Sequence, residues 1–184
     1  MKRGICLCAV AIVVSYLIGA AQVRPEFSGR WTSDPDAALA TTGQPGGAGG
    51  VGAQGGADMG SGWGPTITVT QDANRLTVEY AFFTRGDMQP PLTFVYALDG
   101  SETRNTVMMG RGMQVQSSKT AWDGERLVIM TIHTLTDPAS GKPMTAEVTQ
   151  TLSLASPASL VVETTRSGVL GGPPSTTRTV HRKL

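Results

Sequence analysis

Two histidines, His133 and His181, are the side chains best placed to take or give a proton near neutral pH. An imidazole beside a serine or threonine activates that hydroxyl as a nucleophile, so His133 at the end of an apolar run is the first candidate for hydrolase or isomerase chemistry. The partners such chemistry needs do not accompany it. The chain has no Gly-x-Ser-x-Gly elbow, no Ser-x-x-Lys and no His-Glu-x-x-His. Both cysteines, Cys6 and Cys8, fall in an apolar leader. Met108, Met109 and Met113 cluster around Gly110-Arg111-Gly112, and thioethers are soft ligands for Cu(I). With no Cys or His beside them they read as gap-filling core residues rather than a metal site. The carboxylates are scattered singly and form no calcium loop. The sequence therefore implies a protein that is not an enzyme and carries no metal or cofactor, with His133 chemistry as the remaining catalytic alternative.

Binding chemistry is better represented. Trp31, Tyr80, Phe82, Phe94, Tyr96 and Trp122 sit in or beside alternating stretches, and with His133 they form the candidate lining of an interior site. Aromatic rings supply large apolar faces for a ligand, though most inward aromatics are simply core.

Those residues are carried by a chain with hairpin punctuation. In Ser117–Thr134, Asp123-Gly124 separates two runs of strand composition, and Asp-Gly favours a tight turn with positive φ at the glycine. Leu127 and Ile129 are expected to face inward and Val128 and Met130 outward, which also turns His133 inward. A one-residue slip would reverse both sets. The apolar character of both faces suggests cover from both sides. The same punctuation recurs around Asp72-Ala73-Asn74 and Ser156-Pro157-Ala158. Ile67 and Val69 share a face with Leu76, Val78, Tyr80 and Phe82, and pairing Val69 with Leu76 satisfies both strands. Thr66, Thr68 and Thr70 form the opposite, wet face. Leu92, Phe94, Tyr96 and Leu98 alternate next, and Val148, Leu152 and Leu154 face inward later. About nine or ten short strands result, the pattern of an antiparallel up-and-down barrel, with a two-sheet β-sandwich as the alternative.

The N-terminus has the grammar of a secretory signal peptide. Lys2 and Arg3 precede an apolar run from Ile5 to Ile18, followed by Gly19-Ala20-Ala21. The run is shorter than the roughly 20 residues that span a bilayer. Residues 1–21 are thus expected to be removed, leaving 22–184 as one domain exported to the periplasm or beyond the cell, with no membrane span. Without Lys2 and Arg3 the 15 basic residues of the chain fall to 13, against 14 acidic ones. No basic stripe appears, which argues against a nucleic-acid partner. From about residue 41 to 64 the chain is Gly-rich and low in complexity, too apolar-poor to offset its ordering entropy, and reads as a disordered loop.

Gly29-Arg30-Trp31, following Phe27-Ser28, resembles the Gly-x-Trp signature of the lipocalins and their calycin relatives. Together with Trp122-Asp123-Gly124-Glu125-Arg126-Leu127-Val128-Ile129 and a Thr- and Arg-rich last strand, it resembles small exported bacterial β-proteins of lipocalin-like appearance. The resemblance implies a barrel of about 8–10 strands, closed at one end by Trp31 packed on a basic residue near the end of the chain, with Arg178 and Arg182 in that region. It implies no catalytic motif. A barrel of this size is just wide enough for one small apolar molecule. The expected function is non-enzymatic binding of such a ligand, with a structural or interaction role in the cell envelope as the alternative.

Overall fold

The computed structural model describes residues 24–34, 62–80, 91–109, 112–136, 141–167 and 174–184. The leader, most of the Gly-rich stretch, Phe82 and the side chains of the Met108–Met113 cluster lie outside the described residues. Ten strands follow in chain order: β1 (Gly29–Ser33), β2 (Thr66–Gln71), β3 (Arg75–Tyr80), β4 (Leu92–Ala97), β5 (Thr103–Met109), β6 (Gly112–Asp123), β7 (Arg126–Thr136), β8 (Pro143–Ser156), β9 (Ser159–Arg166) and β10 (Ser175–Lys183). They form one antiparallel sheet in the order β4-β3-β2-β1-β10-β9-β8-β7-β6-β5. Apart from the β1–β10 pairing, every neighbour in the sheet is also a neighbour in the chain, so this is an up-and-down barrel, nearly closed, rather than a sandwich. No helix is present among the described residues, and so none long and apolar enough to cross a membrane.

Each tight hairpin has a local cause. Asp123 pairs with Arg126, and Gly124 has φ 62°, a left-handed value that a side chain would strain. The Arg126 guanidinium and the Asp123 carboxylate pair across the turn. At the β2–β3 turn the Asp72 carboxylate accepts hydrogen bonds from the backbone N–H groups of Asn74 and Arg75, each at 2.8 Å. This Asx cap draws the turn in to Ala73 and Asn74, so Val69 pairs with Val78 and Gln71 with Leu76. The expected pairing of Val69 with Leu76 was therefore two residues out. A shift of two leaves every side chain on its face, and Ile67, Val69, Leu76, Val78 and Tyr80 are all buried.

The phase of β7 follows the expected register. Leu127 and Ile129 are fully buried and Met130 is 46% exposed. The outer face is not covered as the apolar pattern suggested, since Ile132 and Val115 are exposed there as well.

One end of the barrel carries the tight turns and the N-terminal arm. There Trp31 is fully buried, its Nε1–H donates to the Phe27 carbonyl at 3.0 Å, and Phe27 stacks on Trp122 with centroids 6.1 Å apart. The basic residue over Trp31 is Lys183, whose Nζ stands 5.3 Å from the ring centroid. Arg178 and Arg182, the residues expected there, instead face Glu163 and Asp34 on the outside. Gly29 explains the approach: a Cβ at its φ of 151° would lie 2.7 Å from Lys183 Cε.

No strand ladder joins β4 to β5 among the described residues. Asn105 spans that seam with its side chain: Oδ1 accepts from the Val95 N–H at 2.8 Å and Nδ2 donates to the Val95 carbonyl at 3.0 Å. Thr120 adds a hydrogen bond to the Ala97 carbonyl. A carboxamide here does what a neighbouring peptide group does elsewhere in the sheet. Asn105→Ala should cost about 1–3 kcal/mol, because both Val95 groups lose their partner. Amide exchange should accelerate selectively at Val95, and an unchanged exchange rate there would remove Asn105 from barrel closure.

Candidate functional site

The inward positions of the strands divide into two kinds of wall. From β2 to β4 they are apolar and aromatic. Tyr80 and Phe94 stack with centroids 5.8 Å apart, and Phe94 and Tyr96 with centroids 6.5 Å apart. Burial pushes the Tyr80 and Tyr96 hydroxyls above their ordinary pKa, so both stay protonated donors. Trp63 adds a ring 6.3 Å from Tyr96 and hydrogen-bonds to it. Trp63 is buried, so the final residues of the stretch expected to be disordered belong to the barrel core.

From β6 to β10 the inward positions away from the tight turns include a polar set, interrupted on β8 by Ala146 and Val148. Gln116, Ser118, Thr131, Gln150 and Thr164 are buried. Ser118 and Thr131 share a hydrogen bond of 2.9 Å between their hydroxyls. Thr164 pairs in register with Gln150 on one side and Thr177 on the other. Its Oγ1 is fully buried and has no hydrogen-bond partner. Two residues further on, Arg166 takes the same inward phase and donates from Nη1 to Thr177 Oγ1 at 3.3 Å.

His133 sits on this wall, half-buried and inward, paired with Gln116 and Ala146. Burial, and then the Arg166 charge, holds its pKa below the usual histidine value, so it is neutral at pH 7. Its register neighbours are an amide and a methyl group rather than a serine or threonine.

The six described sequence candidates fall in three regions of the barrel. Tyr80, Phe94 and Tyr96 form the aromatic wall and His133 stands on the polar one. Trp31 and Trp122 belong to the tight-turn end. Trp122 also borders an open cleft of about 440 Å³ with Arg24, Asn74 and Asp99, and the Arg24 guanidinium lies 5.0 Å over its ring. Phe82 lies outside the described residues. Reading missed Gln116, Gln150, Thr164 and Arg166, although the phase was available: Val148 and Leu152 put Gln150 inward, and Leu160 and Val162 do the same for Thr164 and Arg166. Trp63, flanked by Gly62 and Gly64, had no periodic neighbour to announce it. No group of three His, Cys, Asp or Glu side chains that could hold a metal ion occurs among the described residues.

His181 is the second buried histidine, fully enclosed near Leu160 with neither ring nitrogen hydrogen-bonded. Burial lowers its pKa to about 4. The folded state thus refuses a proton that the unfolded chain accepts near 6.5. Its contribution is intact above pH 6.5 and is lost as pH falls toward 4, a change of about 3 kcal/mol at most. Urea unfolding of the wild type should therefore lose about 2–3 kcal/mol more between pH 7 and pH 4 than that of His181→Leu. Equal losses would mean that His181 is solvated.

No family model, no curated protein and no solved structure matches the chain. The likeness to lipocalins thus stands on the barrel and on the Gly29-Arg30-Trp31 motif.

Proposed function

We propose that this is an exported, lipocalin-like, non-enzymatic barrel that holds one small, largely apolar molecule between its aromatic and polar walls. The observation that carries the reading is the Thr164 hydroxyl, fully buried and unpartnered between Gln150 and Thr177 in the register, in a barrel that also carries a wall of stacked tyrosine and phenylalanine rings. An unsatisfied buried hydroxyl costs about 1–3 kcal/mol, and an aliphatic side chain would serve a purely structural core better. Binding sites combine this way: apolar walls for the body of a ligand and a few convergent polar groups to orient it.

The test is native purification followed by solvent extraction and mass spectrometry, with titration by N-phenyl-1-naphthylamine, an uncharged fluorophore. Saturable binding of the probe, and its displacement by the extract, are expected. A clean extract together with no probe binding would reject the reading. A second reading, an interaction protein of the cell envelope, is favoured by the exposed outer stripe of Val115, Met130 and Ile132 on β6 and β7. Met130→Lys separates the two: only the interaction reading expects it to change association in sedimentation experiments.

A further inference from the structure

We infer that the ligand enters and leaves this barrel sideways, between β4 and β5, and that the Asn105 side chain is the latch of that opening. This rests on the binding reading above and adds the route by which the site is reached.

β4 and β5 are the two ends of the ten-strand order, and no backbone hydrogen bond joins them among the described residues. β4 is held by a ladder on one side only, through six register pairs with β3 from Arg75 and Ala97 to Tyr80 and Leu92. β5 is held in the same way on its far side by β6, from Thr103 and Ser118 to Met109 and Gly112. Across the seam itself the Asn105 carboxamide makes both of its bonds to Val95, and the Thr120 hydroxyl donates to the Ala97 carbonyl. The N–H and C=O of one residue in an antiparallel strand point to the same side, so these bonds occupy the edge that β4 turns away from β3.

Local opening starts where the fewest interactions must break. Parting any other two neighbours would break a backbone ladder. Even the short β1–β10 pairing, with three register pairs, is extended by the Asp34 N–H donating to the Val180 carbonyl at 2.7 Å and the Leu184 N–H to the Arg30 carbonyl at 2.8 Å. The tight-turn end is filled by Phe27 and Trp31, both fully buried. At the seam, three side-chain hydrogen bonds stand in place of a ladder.

The latch sits where opening matters most for an apolar ligand. Val95 lies between Phe94 and Tyr96, the two inward rings of β4, which stack on each other while Phe94 also stacks on Tyr80. Releasing Val95 frees the strand that carries the aromatic wall, with its ladder to β3 as the hinge. Asn105 and Thr120 are themselves buried, so the closed seam is sealed by the bonds they make. Openings of this kind run from microseconds to seconds, within reach of rapid mixing.

Stopped-flow binding of N-phenyl-1-naphthylamine to the mature chain tests the route. A latch lies on the path and not in the site, so its loss should raise the association and dissociation rates together. Asn105→Ala is expected to raise both about fivefold or more and to leave Kd within about twofold. Phe27→Leu, which loosens the packing at the tight-turn end, should leave both rates within about twofold. Circular dichroism shows whether each variant is folded. If Asn105→Ala is not, Thr120→Val, which removes only the bond to Ala97, should raise both rates about threefold. A wild type that binds no probe would remove the binding reading itself. Saturable binding with rates untouched by either seam variant would place entry at the other end of the barrel and overturn the inference alone. Equal acceleration by Phe27→Leu would overturn it too, since exchange would then follow general loosening of the fold.

Discussion

Trp31→Ala is expected to destabilise the protein by about 3–5 kcal/mol, the cost of emptying a fully buried indole site. Trp31 has no exposed surface, and three features depend on its ring. Its Nε1–H satisfies the Phe27 carbonyl, which fixes the N-terminal arm across the tight-turn end. Phe27 in turn stacks on Trp122. Lys183 Nζ lies over the Trp31 ring, tying in the end of β10, and Gly29 leaves room for that side chain. Alanine removes the filling, the acceptor's partner and the cation's platform together. Trp31→Phe keeps an aromatic body but not the N–H, so it should lose about 1–3 kcal/mol. Chemical denaturation read from the shift in midpoint distinguishes these. An unchanged midpoint for Trp31→Ala would mean that this end is held without its tryptophan.

The architecture was legible because hairpin chemistry is local. Asp123-Gly124 and Asp72-Ala73-Asn74 announce their turns through residue types within four positions, and inward alternation repeats on each side of them. The error at the β2–β3 turn shows the limit of such reading. The Asp72 side chain, rather than strand composition, decides where that turn closes, and a two-residue change leaves the facing pattern untouched. Long-range features leave no such local trace. Asn105 closes the seam through the backbone of Val95, which follows from where β4 and β5 come to lie. Lys183 rather than Arg178 or Arg182 meets Trp31 because the pairing of β1 with β10 sets Trp31 opposite Lys183. The polar wall was hidden for another reason. Gln, Ser and Thr on a strand are ordinarily solvent-facing, so composition argued outward where the phase of Leu160, Val162 and Leu152 argued inward. For deciding what the interior can bind, phase is the stronger guide, since alternation along a strand is geometric while polarity is a tendency.

The same distinction sets the second large effect, on adjacent residues of β7. Ile129→Asp is expected to unfold the domain and Met130→Asp to leave it folded. Ile129 is fully enclosed, paired with Thr120 on β6 and Gln150 on β8. A carboxylate there would lose the isoleucine's packing and enter the barrel without an ion partner placed to receive it. The combined penalty is about 5 kcal/mol or more, comparable with the whole stability of a typical domain. Met130 pairs with Lys119 and Thr149 on the outer face and is nearly half exposed. An aspartate there stays hydrated and faces a lysine across the strands, so its effect should remain within about 1 kcal/mol. Urea unfolding of the two variants under one condition gives the comparison directly. If Met130→Asp were the more damaging, β7 would present the opposite face to the interior. His133 would then point outward, and the polar wall beside Arg166 would lose its strand.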